Sequence, residues 1–149
     1  MLLLSRTIHF NSAHRLYRPD RSEEWNRQVY GKATNPGGFG HNYVLELSVM
    51  GTPDPVSAMI VNLTDLDRIL KDEVDRPLDH RHLNFEVPEF AQIPATAENL
   101  ALWIWDKVDA RIRREGWACR IAQLKLTVTP GFSVEIIAPG IQSCRPNGG

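Results

Sequence analysis

Leu100, Ile104, Val108 and Ile112 recur at every fourth position, which predicts a helix with one apolar face. Thr96 stands where the N-cap belongs, and Glu98 in the first turn suits the positive end of the helix dipole. Gly116 supplies the stop. A second helix is predicted behind Asn62, with Leu63, Leu66, Ile69, Leu70 and Val74 on its buried face. Asp65 at its third position gives a variant of the capping box, and Pro77 is expected to end it. Between Asn42 and Met50 the period drops to two. Tyr43, Leu45, Leu47 and Val49 alternate with Val44, Glu46 and Ser48, the pattern of a half-buried strand.

Leu2 to Phe10 reads as a first strand and Ala58 to Val61 as a short one. Ile121 to Thr129 and Phe132 to Ile137 form a hairpin about Pro130-Gly131. Ser22-Glu23-Glu24 opens a short helix within the polar stretch Arg18 to Tyr30. Asn35 to Gly38 is a turn, Leu78 to Asn84 a polar loop, and the tail after Pro139 is expected to fray. Strand pairs separated by two consecutive helices define an α+β fold, an antiparallel sheet with the helices on one face. So small a sheet leaves a face and its edges open, and closure by oligomerisation would protect them.

The 149 residues suit one domain spanning 1–149. With 42% apolar and 23% charged residues, the chain has the composition of a soluble globular protein. A net charge of −1 provides no field for nucleic acid or an anionic membrane, so neither is an expected partner. Arg111, Arg113 and Arg114 read as cations complementing a helix C-terminus. Cys119 and Cys144 form no CxxC motif, which points to reduced thiols and a cytoplasmic protein. Met1 to Arg6 is too short and too soon charged for a signal peptide, and no apolar run is long enough to span a bilayer.

Chemistry is concentrated in the five histidines. His9 reads as an ordinary surface or satisfied core histidine. His14 closes one strand and His41 opens another, and imidazoles at neighbouring strand ends can meet at a metal. In Leu78-Asp79-His80-Arg81-His82 a carboxylate adjoins an imidazole, as in a general acid–base pair; a polar loop with ordinary hydrogen bonds gives the same pattern. Glu98 is open to two readings, ligand binding or helix-start electrostatics.

The segments FNSAHRLY, YGKATNPGGFGHNY, MIVNLTDLDRIL, LDHRHLN and PATAENLALWIW, running from Phe10 to about Thr129, resemble the 6-pyruvoyl-tetrahydropterin synthase and 6-carboxytetrahydropterin synthase family. The resemblance implies the tunnelling fold, a four-stranded antiparallel sheet with two helices on one face. Three subunits would close a barrel and two trimers would form a hexamer. It implies a pterin ligand, dihydroneopterin triphosphate. It also implies zinc on three histidines, a cysteine base, an aspartate–histidine relay and a glutamate that anchors the pterin ring.

Carried over by position, Asp79 and His80 become the relay, Thr96 and Glu98 substrate-binding residues, and His14 and His41 metal ligands. Three positions depart. Phe39 stands at the third ligand position, Ala33 where the cysteine follows Gly31-Lys32, and Val128 where the glutamate precedes Thr129. Alanine cannot serve as a base, and two histidines hold zinc more weakly than three. Full zinc occupancy is therefore not expected, unless a third donor such as His82 comes from elsewhere. Three readings follow. The chain is a pterin synthase of weak or altered activity, with Glu23 or Glu24 as a substitute base. Alternatively, it is a non-catalytic tunnelling-fold protein binding a purine- or pterin-like molecule or a protein, or it is an enzyme for a different substrate.

Overall fold

The computed structural model describes residues 1–141. Cys144 and most of the tail expected to fray lie outside them. The chain runs through β1 (Leu3–His14), α1 (Glu23–Tyr30), β2 (Phe39–Met50), α2 (Leu63–Leu70), β3 (Arg81–His82), α3 (Ala97–Glu115), β4 (Arg120–Thr129) and β5 (Phe132–Ile137). The sheet order is β3-β1-β2-β4-β5. Every pairing is antiparallel except β3 with β1, which is parallel. The sheet therefore has five strands, one more than expected. The extra strand is the two-residue β3, within the stretch read as a loop.

Alternation gives the sheet two unlike faces. Phe10, Tyr43, Leu45, Leu47, Leu124 and Leu126 are buried with Leu66, Ile69 and Leu70 of α2 and with Leu100, Ile104, Val108 and Ile112 of α3. The opposite face carries Thr7, His9, Asn42 and Glu46, all exposed. Helix ends follow the expected chemistry. Ser22 accepts from the Trp25 N–H and Thr96 from the Asn99 N–H, while Gly116 adopts the left-handed conformation after α3. Asn62 caps α2 by accepting from the Thr64 N–H, and the Asp65 carboxylate pairs with Arg68 instead of completing a capping box.

Two expectations are corrected. Pro77 does not end the second helix: a π turn over Lys71–Asp75 precedes a last helical turn, Arg76–Leu78. The wider turn has the Arg76 N–H donating to the Lys71 carbonyl, so proline enters where the regular ladder is already interrupted. Ala58 to Val61 is not a strand. Asp54 accepts from the Val56 and Ser57 N–H groups, and the Ala58 N–H returns to the Asp54 carbonyl, which curls the segment into a turn. Arg111 does more than complement the helix end, because its guanidinium meets Asp72, Glu73 and Glu115 and clasps α3 to the π turn. Among the described residues no helix is long and apolar enough to cross a membrane.

Candidate active site

The Asp79–His80 pair is held by one residue of β1. The Asn11 N–H donates to Asp79 Oδ1 at 2.9 Å, and the His80 N–H donates to the Asn11 carbonyl at 2.7 Å. Asp79 Oδ2 lies 2.7 Å from His80 Nδ1. A carboxylate there favours the tautomer with the proton on Nδ1, leaving Nε2 as the basic nitrogen. The Asn11 N–H holds the Asp79 carboxyl below the usual carboxylate range, and the bond from His80 adds to this. His80 has φ 58°, a left-handed conformation. The ring lines a cavity of about 520 Å³ with Asn11, His41, Asn42, His82 and Glu86. The geometry is that of an oriented general acid–base pair at a ligand-sized hollow.

His14 and His41 lie on the helix-covered side of the sheet, in register with Phe39 and Ser12 respectively. His14 is 5% exposed, and its Nδ1 is 2.7 Å from the Ala95 carbonyl. That contact fixes the tautomer and leaves Nε2, buried and without a partner, as a free donor atom. His14 alone is thus well prepared to ligate a metal. The surrounding set does not fit a three-histidine centre. The Phe39 ring packs 4.7 Å from His14 and 5.2 Å from His41, placing an apolar ring against both imidazoles. His82 lies near enough to add to the downward shift of His14, and both its ring nitrogens are buried without a partner. It pairs with Ala13 across the parallel register, and its ring stacks on Phe85 at 4.2 Å. Among the described residues no three His, Cys, Asp or Glu side chains are grouped to hold a metal ion.

Burial pulls the His14 imidazole down to about pH 4, with the Ala95 carbonyl opposing and His41 and His82 adding to the shift. The folded state therefore resists a proton that the unfolded chain accepts near pH 6.5. This contribution is intact above pH 6.5 and falls away as pH drops toward 4, by roughly 3 kcal/mol in all. Urea unfolding of wild type should show that decline between those pH values. His14→Gln should flatten it, and an unchanged slope in the variant would contradict the assignment.

The other expected residues are dispersed. Thr96 Oγ1 is engaged as the α3 cap, and Glu98 is exposed in the first turn. Neither lines the His80 cavity, although Thr96 directly follows Ala95, whose carbonyl meets His14. Ala33 sits in a 3₁₀ turn, its carbonyl accepting from the Leu16 N–H, and does not line the His80 cavity. Glu23 faces Arg27 and a separate small cavity with Arg15, Tyr17 and Thr34, and within one subunit it does not line the His80 cavity. Val128 is 6% exposed beside a second hollow lined by His41, Asn42, Val44, Thr127 and Pro130. Sequence reasoning missed Asn11, because a residue acting through its main chain leaves no side-chain signature.

The family model described as 6-pyruvoyl tetrahydropterin synthase matches residues 3–137. A 6-pyruvoyl tetrahydrobiopterin synthase of Poecilia reticulata is 46% identical over 105 residues, 70% of this chain and 71% of that protein. The Homo sapiens protein of the same name is 43% identical, over 70% of this chain and 72% of its own length. The solved 6-pyruvoyl tetrahydropterin synthase of Caenorhabditis elegans superposes with a TM-score of 0.84 at 27% identity, covering 92% of this chain and 95% of that one. Sequence and fold agree: this chain belongs to the 6-pyruvoyl tetrahydropterin synthase family.

Proposed function

We propose that the protein binds a pterin of the dihydroneopterin triphosphate type and that its catalytic machinery is incomplete. The observation that carries this is the Asp79–His80 pair, oriented by Asn11 at the rim of a ligand-sized cavity in a member of a pterin-synthase family. In that cavity His80 Nε2 accepts or returns a proton, while Asp79 stabilises the imidazolium. Zinc, where family members carry it, supplies Lewis acidity toward side-chain hydroxyls. His14 and His41 are the residues that would hold it here, and the Phe39 ring denies it a third donor.

The polar open face and the unpaired stretches of β1 and β5 support assembly into a closed barrel, most simply a homohexamer. Within one subunit Ala33, which stands where relatives carry the base, does not line the cavity that His80 shares with His41, and assembly can bring that position from another copy to it. The non-catalytic reading, a pterin- or purine-binding protein, is favoured by Phe39 and Val128. The test is titration with neopterin followed by fluorescence, paired with sedimentation velocity at micromolar protein. Saturable binding by an oligomer is expected. No binding at millimolar neopterin, or a monomer throughout, would refute the respective half of the proposal.

A further inference from the structure

Asn11 and Asn42 stand directly opposite each other across β1 and β2. Cβ atoms of such a pair lie about 5 Å apart, so the two carboxamides address the same space. Both residues line the His80 cavity. Their side chains pair with no other protein group among the described residues, although every carboxamide has two donors and an acceptor to satisfy. Asn42, with Gly40 and His41, also lines the second hollow, the one beside Val128. It therefore stands between the acid–base pair and the place where the ring-anchoring carboxylate is missing. The Gly40 backbone opens this junction: a Cβ there would come within 3.2 Å of the Ser12 carbonyl.

We infer that the Asn11–Asn42 pair reads the ring edge of the ligand, gripping a neutral, lactam-type heterocycle whose edge alternates hydrogen-bond donors and acceptors. A glutamate grips a cation-like edge through charge. Two carboxamides grip by matching donors to acceptors, and they leave the ring adjacent to His80. Asn11 thus has two separable functions, since its main chain positions the acid–base pair and its side chain faces the ligand. The assignment rests on the pterin reading above.

The experiment is a fluorescence titration of full-length protein with neopterin, for wild type, Asn11→Ala, Asn42→Ala, the double variant and Asn42→Asp, with a thermal melt of each. Both positions lie on the open face, and alanine at residue 11 keeps the main-chain bonds to Asp79 and His80. Each single alanine should weaken binding about 5- to 10-fold, the effect of one neutral hydrogen bond. The double variant should weaken it about 30-fold or more. Asn42→Asp, which keeps shape and acceptors but loses the donor, should weaken it as alanine does. Melting curves should stay in place. Unchanged affinity in the single variants, or losses that track unfolding, would overturn the assignment. Failure of wild type itself to bind neopterin would instead refute the pterin reading, and this assignment with it.

Discussion

Dihydroneopterin triphosphate should be turned over by this protein at least about a hundred-fold more slowly than by a family member with a complete site, because a positioned base alone contributes about 10²–10⁴-fold. The position that the family resemblance gives to that base holds Ala33, whose methyl group has no proton to exchange. The pair proposed as the proton relay, Asp79 and His80, is joined by a hydrogen bond of 2.7 Å. It can shuttle a proton but is only one part of the machinery. On the proposed reading Val128 would offer a pterin ring no charged partner, so the ligand would be held less firmly. Reversion should proceed in stages. Phe39→His with Ala33→Cys recovers part of the rate, and adding Val128→Glu recovers more, chiefly by lowering KM. Steady-state assays of wild type, double and triple variants provide the measurement. Efficient turnover by wild type that His80→Ala abolishes would show that a different set of groups does the chemistry.

Zinc should respond to a single substitution by orders of magnitude. Protein dialysed against metal-free buffer is expected to hold well under one zinc per chain, and Phe39→His close to one. The argument is local. His14 is already locked by the Ala95 carbonyl with Nε2 free, and burial keeps both His14 and His41 in the neutral form that ligates. Phe39 sits in ring contact with both, so a histidine there would deliver the third nitrogen that protein zinc sites ordinarily require. Elemental analysis with a competition titration decides the matter. Stoichiometric zinc in wild type, lost on His14→Ala, would mean that a donor from another subunit replaces residue 39.

These expectations could be drawn because much of the molecule was legible in its sequence. The α3 helix was readable residue by residue: its apolar positions step by four, Thr96 caps it and Gly116 stops it. The β2 strand was readable from strict alternation, although it begins earlier, at Phe39, because pairing with His14 extends it. Tertiary contacts erased legibility elsewhere. Arg81-His82 has no strand pattern and becomes β3 only by pairing with Ser12 and Ala13. Pro77 carries a strong stop signal, which the π turn neutralises. At the site, Asp79 and His80 were visible as neighbours in the chain. The opposition of Asn11 and Asn42 depends on a strand register that local sequence does not specify.

The left-handed backbone at His80 sets fold and site against each other. A residue with a Cβ adopts φ near 58° at a cost of about 1 kcal/mol, which glycine avoids and asparagine tolerates better. His80→Asn or His80→Gly should therefore leave the protein as stable or more so while removing the imidazole proposed to accept the proton. A screen rewarding only heat resistance would drift away from histidine at this position. Its persistence under such a screen would mean that the surrounding bonds, from Asn11 and Asp79, already make the left-handed turn the low-energy path of the chain.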